Sequence, residues 1–179
     1  MPSSSSFIDA LHADLPAPGL EAKLGLYGWL VGRWETDILA HAANGTAYRN
    51  SGEIHAGWVL EGRALQDVWM IPTRPKRRPG LPQAPVTGNW YGTTLRVYDP
   101  AIDAWHIVWT DPATQTYRRQ IGRARGQDIV QLGEDESGNL SRWTFTEIAP
   151  DSFHWLGEAS ADGGEKWRLL VEVFARRVP

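Results

Sequence analysis

The chain has no cysteine among its 179 residues, which removes thiol nucleophiles, iron–sulfur clusters, cysteine zinc sites and disulfides together. Methionine and phenylalanine are scarce, at two and four residues, so neither supplies much of a core. Neither sign of charge dominates: 18 Lys and Arg stand against 21 Asp and Glu, a formal net charge of −3. That balance argues against broad attraction to nucleic acid or anionic membrane. No run approaches the ~20 apolar residues of a membrane-spanning helix. The opening Met1-Pro2-Ser3-Ser4-Ser5-Ser6 lacks the basic and apolar regions of a signal peptide, so the chain reads as cytoplasmic, without a membrane partner. Also missing are a His-Glu-X-X-His, a closely spaced two-His-one-carboxylate cluster, a phosphate-cradling Gly loop, a dinucleotide fingerprint and a Gly-X-Ser-X-Gly elbow. Metal hydrolysis, kinase, dehydrogenase and serine hydrolase readings fall with them, and neither a metal nor a cofactor is expected.

The residue in excess is tryptophan, with ten copies. Aromatic area must therefore fill much of the core or line a site, and each buried indole needs a partner for its N–H. The length suits one domain that buries its apolar surface around a single core. Residues 1–18 are Ser-rich and then Pro-interrupted, and read as a flexible arm ahead of a domain over 19–179. Leu20, Leu24, Leu26, Tyr27, Leu30 and Val31 fall at mixed spacings of three and four, which predicts a short helix over 19–31 plugging one end of that domain.

From Gly32 onward the pattern is strand, turn, strand. Candidate strands cover 33–41, 47–60, 63–71, 90–98, 104–111, 115–124, 127–133, 139–148, 151–160 and 165–177. Asn44-Gly45, Glu61-Gly62, Asp99-Pro100, Asp111-Pro112, Ser137-Gly138-Asn139 and Asp162-Gly163-Gly164 fall between them. A meander of about ten strands closes on itself or leaves raw edges. The expected fold is thus an all-β, single antiparallel up-and-down barrel, with a β-sandwich as the alternative. Tight turns fall at the helix end and longer loops at the other, where a mouth is expected. One long loop, 72–89, carries five prolines with Arg74, Lys76, Arg77 and Arg78, and reads either as a basic lid or as a solvated loop or dimer contact.

Gly32-Arg33-Trp34 has the Gly-X-Trp form that opens the first strand of lipocalin-like proteins, where the Trp closes the barrel floor. With Leu60-Glu61-Gly62-Arg63, Tyr98-Asp99-Pro100, Trp105 and Trp109-Thr110-Asp111 in this order, residues 20–177 resemble a bacterial calycin-like domain family of unknown function. The resemblance implies the barrel and carries over no catalytic residue. Nitrobindins, its relatives with a stated cofactor, hold haem through a His near the C-terminus. The last strand here, 166–176, has none, and the nearest is His154 on the strand before.

Strand alternation sorts the candidates into faces. A two-residue turn at Glu61-Gly62 pairs Trp58 with Leu65, Ala56 with Asp67 and Ile54 with Trp69, an apolar face holding one carboxylate. Asp67 there reads as a desolvated general acid or base, or as the acceptor for an indole or an arginine. His55 falls on the opposite face and stays a candidate because a register slip would exchange the two. Trp109 and Asp111 fall toward the mouth, and inward-facing Tyr117 and Arg119 would stand beside them, suiting a planar anionic ligand. Trp58, Trp69, Trp90, Trp109 and Asp111 are the expected ligand-binding set. These residues allow two functions. One is a binding module for a small apolar or aromatic ligand, with an anionic group allowed. The other is a cofactor-independent lyase, isomerase, cyclase or hydratase using Asp67 or His55 as base, with Tyr117 or Arg119 stabilising negative charge. The partner in either case is a small molecule, and the exposed first helix leaves room for a homodimer.

Overall fold

The computed structural model describes residues 6–77, 89–135 and 137–179. Two short helices, α1 (Phe7–Leu11) and α2 (Glu21–Gly28), and a two-residue strand β1 (His12–Ala13) precede ten longer strands. These are β2 (Gly32–His41), β3 (Ala47–Val59), β4 (Ala64–Ile71), β5 (Trp90–Asp99), β6 (Ala104–Asp111), β7 (Thr116–Arg125), β8 (Asp128–Glu134), β9 (Leu140–Thr146), β10 (Ser152–Ser160) and β11 (Arg168–Val178). Each pairs antiparallel with the next, and β11 returns to pair with β2, so the sheet closes as an up-and-down barrel and not as a sandwich. Closure satisfies the strand edges that a ten-strand meander would otherwise expose.

The alternation that predicted the strands is the alternation of their burial. On β2, Trp34, Thr36 and Ile38 are buried while Arg33, Glu35 and Asp37 are exposed. The β3–β4 hairpin has the expected register: Trp58 opposes Leu65, Ala56 opposes Asp67 and Ile54 opposes Trp69. Glu61 and Gly62 at its tip both take positive φ, 59° and 75°, and the Arg63 N–H donates to the Leu60 carbonyl across them at 3.1 Å, the form of a type I′ turn whose twist matches the flanking strands.

Helix α2 plugs one end. Its Leu24 and Tyr27, with Leu30 just beyond it, are fully buried. Trp34 donates its indole N–H to the Leu30 carbonyl at 2.8 Å and packs edge-on against Trp29 and Phe153. The Gly-X-Trp motif has a steric reason. Gly32 lies at φ +126°, and a Cβ there would come within 2.7 Å of Arg177. Arg177 stacks on Trp34 and donates to the carbonyls of Trp29, Val31 and Pro150, tying the last strand to the helix exit. Gly122 plays a matching part on the wall, because any Cβ there would collide with the Tyr27 hydroxyl.

Within the stretch expected as a flexible arm, residues 12–17 are joined to the barrel. Its β1 pairs His12 with Val59 and Ala13 with Trp58, extending the sheet where β2 has not yet begun. Ala17 is buried and donates its N–H to the Gly62 carbonyl at 3.0 Å. Among the described residues, no helix is long and apolar enough to cross a membrane.

Candidate functional site

Away from α2 the barrel interior opens into a cavity of about 350 Å³. Trp69 on β4, Trp90 on β5, Trp109 on β6, Trp143 on β9 and Trp155 on β10 line it. Their rings form a closed circuit: Trp69 to Trp155 5.3 Å between centroids, Trp155 to Trp143 5.6 Å, Trp143 to Trp109 6.2 Å, Trp109 to Trp90 6.3 Å and Trp90 to Trp69 6.4 Å. These are the tilted and edge-to-face contacts that aromatic quadrupoles favour. Gly92 makes room for the circuit, since a Cβ there would lie 2.5 Å from the Trp109 ring.

A polar layer separates the cavity from the floor. Arg96 lines the cavity, while its guanidinium carbon lies 5.2 Å from the Tyr27 ring centroid and 5.7 Å from that of Phe145. It donates to Asp67 in an ion pair with both residues buried. The second carboxylate oxygen of Asp67 accepts the Thr94 backbone N–H at 3.1 Å. Tyr27 donates to Gln131 at 3.1 Å. Burial pushes its phenol above the usual range, Asp67 reinforces that and Arg96 opposes it, so Tyr27 remains an O–H donor.

The candidate residues separate in space. Trp69, Trp90 and Trp109 line the cavity. Trp58 does not: it lies near the hairpin turn at the floor end, opposite Ala13 and Leu65 and against Gly28. Asp111 is buried but its carboxylate caps a turn, accepting from the N–H groups of Ala113, Thr114 and Tyr91. Asp67 faces inward, beneath the cavity and closed by Arg96 and Thr94. Tyr117 and Arg119 face outward, contrary to expectation: Tyr117 is 47% exposed, and Arg119 donates to its hydroxyl at 2.9 Å. Asp111 opposes Thr116 and Trp109 opposes Arg118, so Thr116 and Arg118 are the inward residues. Arg118, Arg96, Trp143 and Trp155 are among the cavity residues that the sequence pattern did not single out.

His55 lies on the outer wall, where its Nε2 is 2.9 Å from Glu53. Arg74, at the start of the long loop, donates to both Glu53 oxygens through its side chain and to one through its backbone N–H. Lys76 reaches Ser51, and Arg77 donates to the carbonyls of Ile71 and Trp90, both at 2.7 Å. Three of the four basic residues expected over the mouth thus anchor the loop base to the wall; Arg78 and the rest of the expected lid, residues 78–88, lie outside the described residues. Burial alone would raise the Glu53 pKa, but the hydrogen bonds from Arg74 and His55 outweigh it and hold the value down to about 2 from an ordinary 4.5. Because the folded value is the lower one, the stabilisation from Glu53 is fully present above about pH 4.5 and is lost as pH falls toward about 2. Urea melts across that window are expected to show an acid limb that flattens in Glu53→Gln.

Among the described residues no group of three or more His, Asp or Glu is arranged to hold a metal ion. Haem ligation does not fit this interior. His154 sits on the outer face, stacked on Phe174 at 4.2 Å, and His41, at the cavity rim, is engaged with Glu172 at 2.9 Å.

No protein-family model matches the chain, and no curated protein matches it in sequence. Solved structures share its architecture, two of them over nearly the whole chain. Rv2717c from M. tuberculosis is 13% identical with a TM-score of 0.61, over 92% of this chain and 99% of that one. The S-type phycobiliprotein lyase CPES from Guillardia theta is 9% identical with a TM-score of 0.56, over 90% and 98%. Likeness at these identities is likeness of fold: both neighbours are ten-strand barrels of the calycin-like type, and this chain shares with them a closed antiparallel ten-strand barrel.

Proposed function

We propose that this protein is a binding module of the calycin-like, nitrobindin-related kind that takes a small aromatic or apolar ligand into the barrel interior. The observation that carries this reading is the closed circuit of five indoles around a cavity of about 350 Å³. Protein interiors pack to crystal density, so an aromatic-walled space of this size inside one half of a barrel is the form a small-molecule site takes. That one fold neighbour is a phycobiliprotein lyase is in keeping with a barrel of this shape receiving an apolar ligand. The acid–base alternative draws no such support, because Asp67 is closed by Arg96 and Thr94 while His55, Tyr117 and Arg119 stand on the outer wall.

Titration with N-phenylnaphthylamine, followed by energy transfer from tryptophan, tests the reading. Saturable one-to-one binding is expected. Ala159→Trp, which places an indole into the cavity from β10, is expected to weaken it at least about tenfold by filling the space. Binding that never saturates, or that the plug leaves unchanged, would place the probe elsewhere.

A further inference from the structure

The cavity combines two properties that together describe its occupant. Its charges are balanced. Arg96 is paired with Asp67, Glu158 accepts from Nε and Nη2 of Arg142, both at 2.8 Å, and Arg118 acts electrostatically on Asp135. His41 at the same rim faces Glu172. An anion entering this space would find the buried Arg96 already paired with Asp67 and Arg118 already in the field of Asp135, and would have to shed its hydration against those carboxylates.

The hydrogen-bonding capacity, by contrast, is lopsided. Two buried polar atoms belonging to cavity-lining residues have no partner among the described residues, the Trp69 indole Nε1 and the Arg96 Nε. Both residues are deeply buried, at 4% and 1% exposed, and both atoms are obligate N–H donors. Unpartnered acceptors exist as well, on Thr36 and Gln120, but neither residue lines the cavity. Ser141 adds to the excess on the donor side: its Oγ already accepts from Gln120 at 3.1 Å, and its own proton is left to give. A buried donor without an acceptor is a standing penalty, and a ligand that supplies the acceptor removes it.

Resting on the binding-module reading, we infer that the occupant is a neutral aromatic compound bearing an acceptor-only oxygen, an aryl carbonyl, which enters oxygen first and accepts from Trp69 and Arg96 at the base of the indole circuit. Aromatic area supplies the affinity and the inward donors supply the selection. A hydrocarbon of the same shape leaves both donors unpaired, and a carboxylate brings a charge for which the cavity has no counterpart.

Three probes on one naphthalene scaffold, substituted at the same ring position, separate the possibilities by calorimetry at neutral pH: acetonaphthone, ethylnaphthalene and naphthoate. The ketone is expected to bind about tenfold more tightly than the hydrocarbon, the discrimination of one satisfied buried donor, with the carboxylate weaker than the ketone. Trp69→Phe keeps an aromatic ring but removes the N–H. It is expected to reduce the ketone's advantage over the hydrocarbon, measured in the same variant, to about threefold or less. Equal binding of ketone and hydrocarbon overturns the inference and leaves the aromatic site standing. Tightest binding by naphthoate overturns it in favour of an anion site, and a full ketone advantage retained in Trp69→Phe removes Trp69 from the role assigned to it. Failure of all three probes to bind contradicts the binding-module reading itself. Because the first comparison uses the unaltered protein, it decides the matter even if Trp69→Phe folds poorly.

Discussion

Asp67→Asn is expected to destabilise the protein by about 3–5 kcal/mol, the cost of removing one partner from a buried ion pair and leaving the other charged. Asp67 and Arg96 are 0% and 1% exposed. Asparagine keeps the shape and one acceptor oxygen for the Thr94 N–H, but it turns an amide toward a guanidinium that has no other carboxylate in its ion pair. For a chain of this size the loss corresponds to a melting temperature lower by on the order of 10 °C. The paired replacement Asp67→Leu with Arg96→Met is expected to recover much of it, since the pair's net worth is small once both desolvation penalties go. Urea melts of the three proteins check this. An Asp67→Asn within about 1 kcal/mol of wild type would mean that solvent reaches the pair and that the cavity floor is not closed.

The second large effect falls on stability and binding together. Trp155 is the hub of the indole cluster, with ring centroids 5.3 Å from Trp69, 5.6 Å from Trp143 and 6.3 Å from Trp90. Trp155→Ala is expected to cost about 3–5 kcal/mol, the range for deleting a buried indole without collapse of the space. It also removes a wall of the site and three supporting ring contacts, so N-phenylnaphthylamine binding is expected to weaken at least about tenfold. Trp167 is the internal control. It is stacked on Arg142 at 4.0 Å and hydrogen-bonded to Gly164 in the β10–β11 connection, and it does not line the cavity. Trp167→Ala is expected to leave probe affinity unchanged. Equal losses in the two variants would mean that the indole circuit is not the binding surface.

The barrel was legible in the sequence because alternation and turn chemistry agreed along almost every strand. The β3–β4 hairpin shows why: a two-residue connection at Glu61-Gly62 leaves one register, and that register puts Trp58, Ala56 and Ile54 opposite Leu65, Asp67 and Trp69. The same rule explains the failure on β7. The connection from Asp111 to Thr116 holds four residues, Pro112 to Gln115, with Gln115 at φ 55°. Counting that turn one residue short reverses the strand, bringing Tyr117 and Arg119 inside in place of Thr116 and Arg118. Nothing in the local pattern fixes the faces, because β7 carries cationic residues on both of them, Arg118 on one and Arg119 on the other.

Arg96 escaped notice for a different reason. Flanked by Leu95 and Val97, it has the pattern of a solvent-facing charge, and only the pairing of Asp67 with Thr94 across a long loop reverses the assignment. The available signal was Asp67 itself, a carboxylate on an apolar face that requires a cation. Trp143 and Trp155 carried their own signal, as members of the alternating sets Ser141, Trp143, Phe145 and Phe153, Trp155, Gly157. Recognising them as cavity residues required the barrel's closure, which sets β9 and β10 across from β4 and β5.

Binding inside the barrel requires that one half be an open, indole-walled site and the other a packed floor. Nitrogen-15 spectra of the ten indole N–H groups, recorded while N-phenylnaphthylamine is titrated in, probe that division indole by indole. The resonances of Trp69, Trp90, Trp109, Trp143 and Trp155 are expected to shift together and saturate, while those of Trp29, Trp34, Trp58, Trp105 and Trp167 stay in place. Shifts concentrated on the second set, or spread evenly over all ten, would contradict it.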